Sequence, residues 1–511
     1  MGYDILLINP PLLDVPFVYP GEHLGLGYLA AFMRNEGYTV KIIDAQIRKL
    51  YIENTFLRIY DLIKRKDPIL IGFSVTQPTF SVTSKIVQKI RKQDIDIPIV
   101  VGGKFPTLTH IEILEEERGI DIVVRGDGEF ILLDLVQAIE KNAALDTISG
   151  ITYRNKKGNI KINPPRQLIH DLDSLPFPSR DYLPYLLKSG FLAVNVLSSR
   201  GCYWNCKFCT ISALNYKWRG RSPENVVEEL KYLCDKWHIQ LIHFTDSNFI
   251  GPGKKGRERA YKIASLIMKE GLDINFSFNC RVNDINRSLI KFLKRAGLVH
   301  VFIGTESASQ RILDIYNKGT TVKDNINAIS QLRDLGINIT QGFIMFDPFI
   351  TLNEIKENVK FLEKTGGWEI DKLVNRLWLT PGTQIVKELE SSKMLIKKGL
   401  FQYDFKFSDK KVQKLFEIMH LKYYPTIQPI LEELQRLKYV CYYQERNSFH
   451  LVKTLEDKIK KNAIDLLKEC IHIIKNDKLD ELHFIWEKEE LEISTISHEL
   501  EKIYHKVMAK N

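Results

Sequence analysis

No cysteine occurs in the first 201 of the 511 residues, and the whole chain holds seven. An odd number of thiols, so unevenly spread, does not make a disulfide framework, so the expected compartment is reducing and cytoplasmic. Long apolar runs are missing too. Those present, such as Ile69-Leu70-Ile71-Gly72-Phe73, are strand-sized against the roughly 20 residues a bilayer requires, so no membrane span is expected. The start, Met1-Gly2-Tyr3-Asp4, has none of the basic character of a secretory signal. No nucleic-acid-binding motif accompanies the net charge of +10, and no nucleic-acid partner is expected. What is present, 44% hydrophobic and 27% charged residues, is the balance of an ordinary globular protein. The length suits about two to four domains.

The positive surplus is local. Residues 151–223 hold twelve Lys and Arg against three Asp, whereas residues 401–511 match nineteen basic side chains with nineteen acidic ones. Such a field favours an anionic ligand or an electron-donor protein with an acidic face; a solvated basic linker is the plain alternative. Inside this stretch lie Cys202, Cys206 and Cys209, in Ser199-Arg200-Gly201-Cys202-Tyr203-Trp204-Asn205-Cys206-Lys207-Phe208-Cys209. No compact fourth cysteine completes the set. Structural zinc takes four protein ligands, so three thiolates argue for a metal centre with one position open. Thiolate-only ligation favours iron–sulfur chemistry, and a four-iron four-sulfur cube held at three irons would offer its fourth to a substrate. A zinc loop or three unrelated thiols is the alternative.

Residues 1–145 alternate short apolar strands with amphipathic helices, the pattern of a parallel doubly wound sheet. Ligands on such sheets bind outside the carboxyl ends of the strands. Those ends carry Asn9-Pro10-Pro11, Ser74-Val75-Thr76-Gln77, Gly102-Gly103-Lys104-Phe105-Pro106-Thr107 and Arg125-Gly126-Asp127-Gly128-Glu129. Residues 146–190 read as a linker with one strand pair (150–154 and 160–163) and a run of prolines. Six further strand–helix units follow in residues 191–400, the last strand at 373–379, which suits a partial (β/α) barrel with its chemistry at the strand carboxyl ends. Residues 401–511 read as helical, a lid or docking set over the barrel mouth. The fold class is therefore α/β: a Rossmann-like domain, a partial barrel and a helical C-terminal domain.

The cysteine loop, with Phe208 before its last thiol, resembles that of the radical S-adenosylmethionine (SAM) enzymes. In that family the open iron chelates SAM, and one electron cleaves the sulfonium to a 5′-deoxyadenosyl radical. Pro10 and Pro11, the helix Gly25 to Ala31, Gly102-Gly103-x-x-Pro106-Thr107 and the Arg125-to-Glu129 loop resemble the cobalamin-binding domain that precedes many radical SAM cores. The resemblance implies three cofactors: a 4Fe-4S cluster, SAM and cobalamin. It implies that Pro10, Pro11, Ser74, Thr76, Gly102, Gly103, Pro106, Thr107, Gly126, Asp127, Gly128 and Glu129 line the corrin. The D-x-H-x-x-G signature that supplies a histidine to cobalt elsewhere is absent, and His23 reads as a polar residue at a helix entrance. Lacking N-terminal cysteines, the chain cannot build the second cluster of the methylthiotransferases. In the barrel, Asp246 and Ser247 match the position that contacts the SAM amino group, and Glu306, helped by Ser307, the position at the ribose. Arg281 has the two-pronged guanidinium to pair with the SAM carboxylate. Cys280, beside it, is a candidate hydrogen donor or a packing residue. Together these imply methyl transfer to an unactivated carbon, or a phosphinate, of a small-molecule substrate, with a flavodoxin- or ferredoxin-like electron donor. Cobalamin-dependent cyclisation or ring rearrangement is one alternative, and a non-catalytic metal-binding module another.

Overall fold

Runs of branched residues alternating with amphipathic helices build two parallel sheets in the computed structural model, which describes residues 2–12, 21–191, 193–443 and 449–508. The first sheet contains Ile5–Asn9 (β1), Val40–Asp44 (β2), Leu70–Ser74 (β3), Ile99–Gly102 (β4) and Ile122–Val124 (β5), parallel and ordered β2-β1-β3-β4-β5. These strands are apolar along nearly their whole length because both faces are covered. Helices Leu24–Asn35 and Glu129–Glu140 bury one face, and Ile52–Ile63 and Phe80–Arg91 the other. The strand order reverses between β1 and β3, and the crevice at such a switch point is where open sheets of this kind take ligands. Ile151–Arg154 (β6) adds antiparallel to β5, and Ile160–Ile162 (β7) antiparallel to β6. The strand pair expected in a linker therefore extends the first sheet beyond residue 145.

The second sheet opens with Ala193–Val196 (β8), followed by a two-stranded antiparallel ribbon, Ser199–Arg200 (β9) and Arg219–Gly220 (β10), from which the cysteine loop projects. Leu241–Phe244 (β11), Asn275–Arg281 (β12), Leu298–Glu306 (β13) and Asn338–Phe343 (β14) complete it, all parallel, in the order β8-β11-β12-β13-β14. Period-two alternation sets its two faces. Val194, Val196, Ile242, Phe244, Phe276 and Phe278 enter the core under the covering helices. Asn195, His243 and Ser277, register partners on β8, β11 and β12, stand half-buried on the other face.

Two expectations change here. The sixth strand, expected at 373–379, is a 3-10 turn, Ile370–Leu373, followed by a single parallel bridge from Arg376 to Phe346. Leu373, Val374, Leu377 and Leu379 are buried as the alternation suggested, but their backbone does not form a ladder. Cys280, only 5% exposed, lies in the core between sheet and helices. Its parity along β12 matches Phe276 and Phe278, so it packs and does not face the barrel interior.

The C-terminal helices, Tyr424–Tyr443, Phe449–Lys475 and Leu482–Met508, share one core with the β14 side of the barrel and with helix Leu352–Thr365. They flank that side of the sheet. A hairpin, Leu395–Lys397 (β15) and Tyr403–Phe405 (β16), sends Phe401 into the core of the first domain. Among the described residues no helix is long and apolar enough to cross a membrane.

Candidate cofactor site

The cysteine loop is held by backbone and aromatic contacts on every side. Gly201 enters it at φ +82, where a Cβ would collide with the carbonyl oxygens of Tyr216 and Lys217, so glycine is required. Cys202 N–H donates to Tyr216 O (3.0 Å), and Cys209 N–H to Cys206 O (3.1 Å). Lys207 is clasped from both sides, its N–H donating to Tyr316 O (3.0 Å) and its carbonyl accepting from Ile385 N–H (3.1 Å). Phe208, itself half-buried, packs edge-to-face on the buried ring of Tyr316, 5.1 Å between centroids, and so helps to fix the loop. Burial pushes the Cys202 and Cys206 thiols up; at Cys206 the charges of Lys318 and Arg281 oppose it. Such thiols release their protons when a metal binds.

At the strand carboxyl ends of the barrel, the candidates separate. Glu306 sits at a register shift in β13 with φ +61, a conformation that costs a non-glycine residue energy and that clusters at functional sites. Its Oε1 accepts from Lys318 Nζ at 2.7 Å, and Gly304 leaves room for the pair, since a Cβ there would lie 2.7 Å from that oxygen. Ser247 is exposed at the end of β11. Asp246, in contrast, is 0% exposed, and its carboxylate accepts from Ser198 N–H (3.2 Å), Ser198 Oγ (3.0 Å) and Ser199 Oγ. It ties β11 to the β9 ribbon and presents no free oxygen. Ser307 is likewise buried, with its hydroxyl on Asn358 and on the N–H of Ser309. Arg281 is also turned inward. Its guanidinium donates to the Lys318 carbonyl, lies 4.5 Å from the Trp204 ring and reaches Cys206 Sγ at 3.6 Å, while Nε has no partner.

Sequence reasoning missed the groups that link these parts. Asp284 accepts from Tyr203 Oη, from Asn248 Nδ2 (2.6 Å) and from Arg281 N–H (3.1 Å), joining the cysteine loop to the ends of β11 and β12. Lys318 bridges Glu306 and Arg281. Asp284 comes just after the end of β12, whereas Lys318 comes after the helix Gln310–Ile315, where no strand end draws attention to it.

In the first domain, Pro10 and Pro11 follow β1 and are buried. Thr76 and Gly103 are exposed, and Ser74, Gly102, Thr107, Gly126 and Gly128 are half-exposed, along the carboxyl edge of the sheet; Pro106 is buried beneath. A Cβ on Gly102 or Gly126 would meet only ordinary contacts of 3.7 Å or more, so the space above these glycines is open to a flat ligand. His23 caps helix Leu24–Asn35 by accepting from Leu26 N–H at Nδ1 (3.1 Å), so Nε2 carries the proton and donates to Ser74 Oγ (2.9 Å). With both nitrogens engaged, it is no cobalt ligand as it stands. Lys104 is reachable by solvent although protein surrounds it; burial lowers its ammonium pKa, and the nearby Cys209 sulfur opposes the shift.

Asp127 and Glu129 do not line this edge. Glu129 Oε1 accepts from Arg200 (2.6 Å) and Asp127 Oδ2 from Arg219 (2.6 Å), with Arg200 also 3.3 Å from Asp127. These two acids clamp the ribbon that carries the cysteine loop. The basic surplus has the same explanation: Arg180 and Arg221 are buried against Glu229, and Arg166 and Lys207 pair with Asp134 and Glu388. Much of the charge therefore holds parts together and does not form a free field.

Three thiols in one loop, a terminal guanidinium nitrogen 3.6 Å from one of them, and a glycine edge on the neighbouring domain that packs against the loop fit an iron–sulfur cluster and a planar cofactor. Among the described residues no three His, Cys, Asp or Glu side chains converge on a single metal ion. Thiols that each take a different iron of a cube need not converge. The model of the radical SAM superfamily matches residues 196–362, and that of the B12 binding domain residues 13–136. An uncharacterized methyltransferase of Pyrococcus horikoshii is 33% identical over 447 residues, covering 86% of this chain and 92% of that protein. The chain belongs to the radical SAM superfamily. This radical SAM enzyme also resembles the anaerobic magnesium-protoporphyrin IX monomethyl ester cyclase of Rubrivivax gelatinosus, at 28% identity over 68% of this chain and 65% of the cyclase. Its fold matches a solved cobalamin-dependent SAM radical enzyme, OxsB with aqua-cobalamin bound, at a TM-score of 0.78 and 22% identity, over 100% of this chain and 80% of that one. The cofactors of the radical SAM enzyme are a 4Fe-4S cluster, SAM and cobalamin.

Proposed function

We propose that this radical SAM enzyme is a methyltransferase acting at an unactivated carbon, or a phosphinate, of a small-molecule substrate. The observation that carries the reading is the meeting of two sets of strand ends: the Gly102-Gly103 and Arg125-to-Glu129 loops of the first sheet abut the ribbon and cysteine loop of the second. Bound together there, the cofactors supply radical formation and a methyl group. The chain's own residues do the rest. Cys202, Cys206 and Cys209 are the thiol donors, Glu306 is oriented by Lys318 for the ribose hydroxyls, Ser247 is free for the amino group of SAM, and the glycine edge takes the corrin face. The likeness to the Pyrococcus methyltransferase over nearly its full length supports methyl transfer. A flavodoxin- or ferredoxin-like protein would deliver the electron.

Likeness to the cyclase supports a second reading, an oxidative ring closure. Anaerobic purification with iron and corrinoid spectra, followed by product mass, separates the two. Methyl transfer adds one CH2 to the substrate and cyclisation does not. A preparation that binds no corrinoid, or that cleaves no SAM after reconstitution, would overturn both.

A further inference from the structure

We propose that Arg281 is a positioning residue for the iron–sulfur cluster, donating a hydrogen bond to the Cys206 sulfur and holding a fixed positive charge against the cube. The inference rests on the cluster assignment above and adds to it a determinant of the cluster's potential. Arg281 ends β12, the strand beside that of Glu306, and its guanidinium is buried. One terminal nitrogen lies 3.6 Å from Cys206 Sγ, within reach of an N–H to sulfur bond. The other donates to the carbonyl of Lys318. Trp204, two residues before Cys206, lies against the guanidinium at 4.5 Å, and Tyr203 lies at 5.8 Å. The backbone N–H of Arg281 donates to Asp284, which also accepts from Tyr203. The side chain is thus fixed from both ends to the loop whose sulfurs hold the iron.

The nitrogen Nε is buried without a partner. A buried donor left unsatisfied is costly, and a cluster sulfur beside Cys206 would be a natural acceptor for it. This arrangement differs from the expected pairing with a SAM carboxylate, because the guanidinium faces the loop. One-electron reduction adds a negative charge to the cube. Hydrogen bonds to its sulfurs and a nearby cation stabilise that form, and burial magnifies the effect. Arg281 should therefore raise the potential and make the cluster easier to reduce.

The test uses the full-length protein, anaerobically reconstituted with iron and sulfide and without SAM, titrated with dithionite and followed by electron paramagnetic resonance. Arg281→Gln should retain wild-type iron content but shift the midpoint to a more negative value. Arg281→Lys, which keeps the charge, should fall between. The wild type alone gives an independent reading: in resonance Raman spectra the terminal iron–sulfur stretch should move on exchange from H2O to D2O. An unmoved band, or an unchanged midpoint in Arg281→Gln, overturns the proposal, as does a variant whose only defect is weaker SAM binding. If the wild type assembles no cluster, the cluster assignment itself falls; if it assembles one with a potential indifferent to Arg281, only this inference does.

Discussion

Among the junctions that fasten the first domain to the rest of the chain, two are of opposite chemistry. At one, Arg200 and Arg219 of the ribbon meet Glu129 and Asp127, four largely buried charges at 2.6 Å in each pair. At the other, Phe401 of the C-terminal hairpin enters between Phe80 and Phe105, edge-to-face, with centroids 4.9 and 4.8 Å away. Gln77 secures that side by donating to the carbonyls of Leu379 (3.1 Å) and Phe401 (2.7 Å). Desolvation offsets most of the attraction within a buried ion pair, so the first junction adds little net stability while dictating geometry strictly. Burying an aromatic ring gives about 1.5–3 kcal/mol with far less directional demand. Registration and adhesion are therefore divided, and the ionic junction is the one beside the cysteine loop.

Removing one charge should produce the largest effect. Asp127→Ala leaves Arg219 buried and uncompensated, which costs about 3–5 kcal/mol and should appear as a lowered denaturation midpoint. Acid should act on the same junction in the wild type. Burial raises the Asp127 carboxyl, but the hydrogen bond from Arg219 and the charges of Arg200 and Arg219 outweigh it, leaving the pKa below the ordinary 3.8. A carboxyl lowered in the folded state stabilises above its unfolded pKa and loses that contribution as pH falls through the folded one. Hydrogen exchange at residues 199–200 and 219–220 should thus accelerate only below about pH 4, while residues around Phe401 lag behind. Simultaneous loosening would erase the distinction. Phe401→Leu, a milder change in shape and volume, should cost under about 1.5 kcal/mol at the aromatic junction, with no added sensitivity to acid.

Much of this architecture is legible in the chain, and the limits have a common cause. The strands Ile5–Asn9 and Val40–Asp44 and the helix Leu24–Asn35 follow from local apolar periodicity, and the C-x3-C-x2-C spacing singles out the cysteine loop by itself. Leu373 to Leu379 alternates like a strand yet forms one bridge, because alternation reports burial and says nothing about which backbone lies alongside. Asp246 and Ser307 sit in the expected places, but their hydrogen-bonding capacity is taken by Ser198, Ser199 and Asn358, which only the folded chain brings near. Asp127 and Arg219 stand 92 positions apart, and Tyr203 and Asp284 81. One sequence carries no record of such pairings, so a loop that looks ligand-binding can prove to be a clamp.

The smallest effect decides whether the junctions act independently. Among the described residues Asp127 and Phe401 share no hydrogen-bond or ring partner: the former touches Arg200, Arg219 and Ile169, the latter Phe80, Phe105 and Gln77. Well-separated sites of this kind add within about 0.3–0.5 kcal/mol. The double variant Asp127→Ala, Phe401→Leu should therefore lose the sum of the two single losses when stability is measured by urea denaturation. A coupling beyond about 1 kcal/mol would mean that releasing one junction already frees the other. The first domain would then dock as a single cooperative body, and the division between registration and adhesion would describe its contacts without describing its energetics.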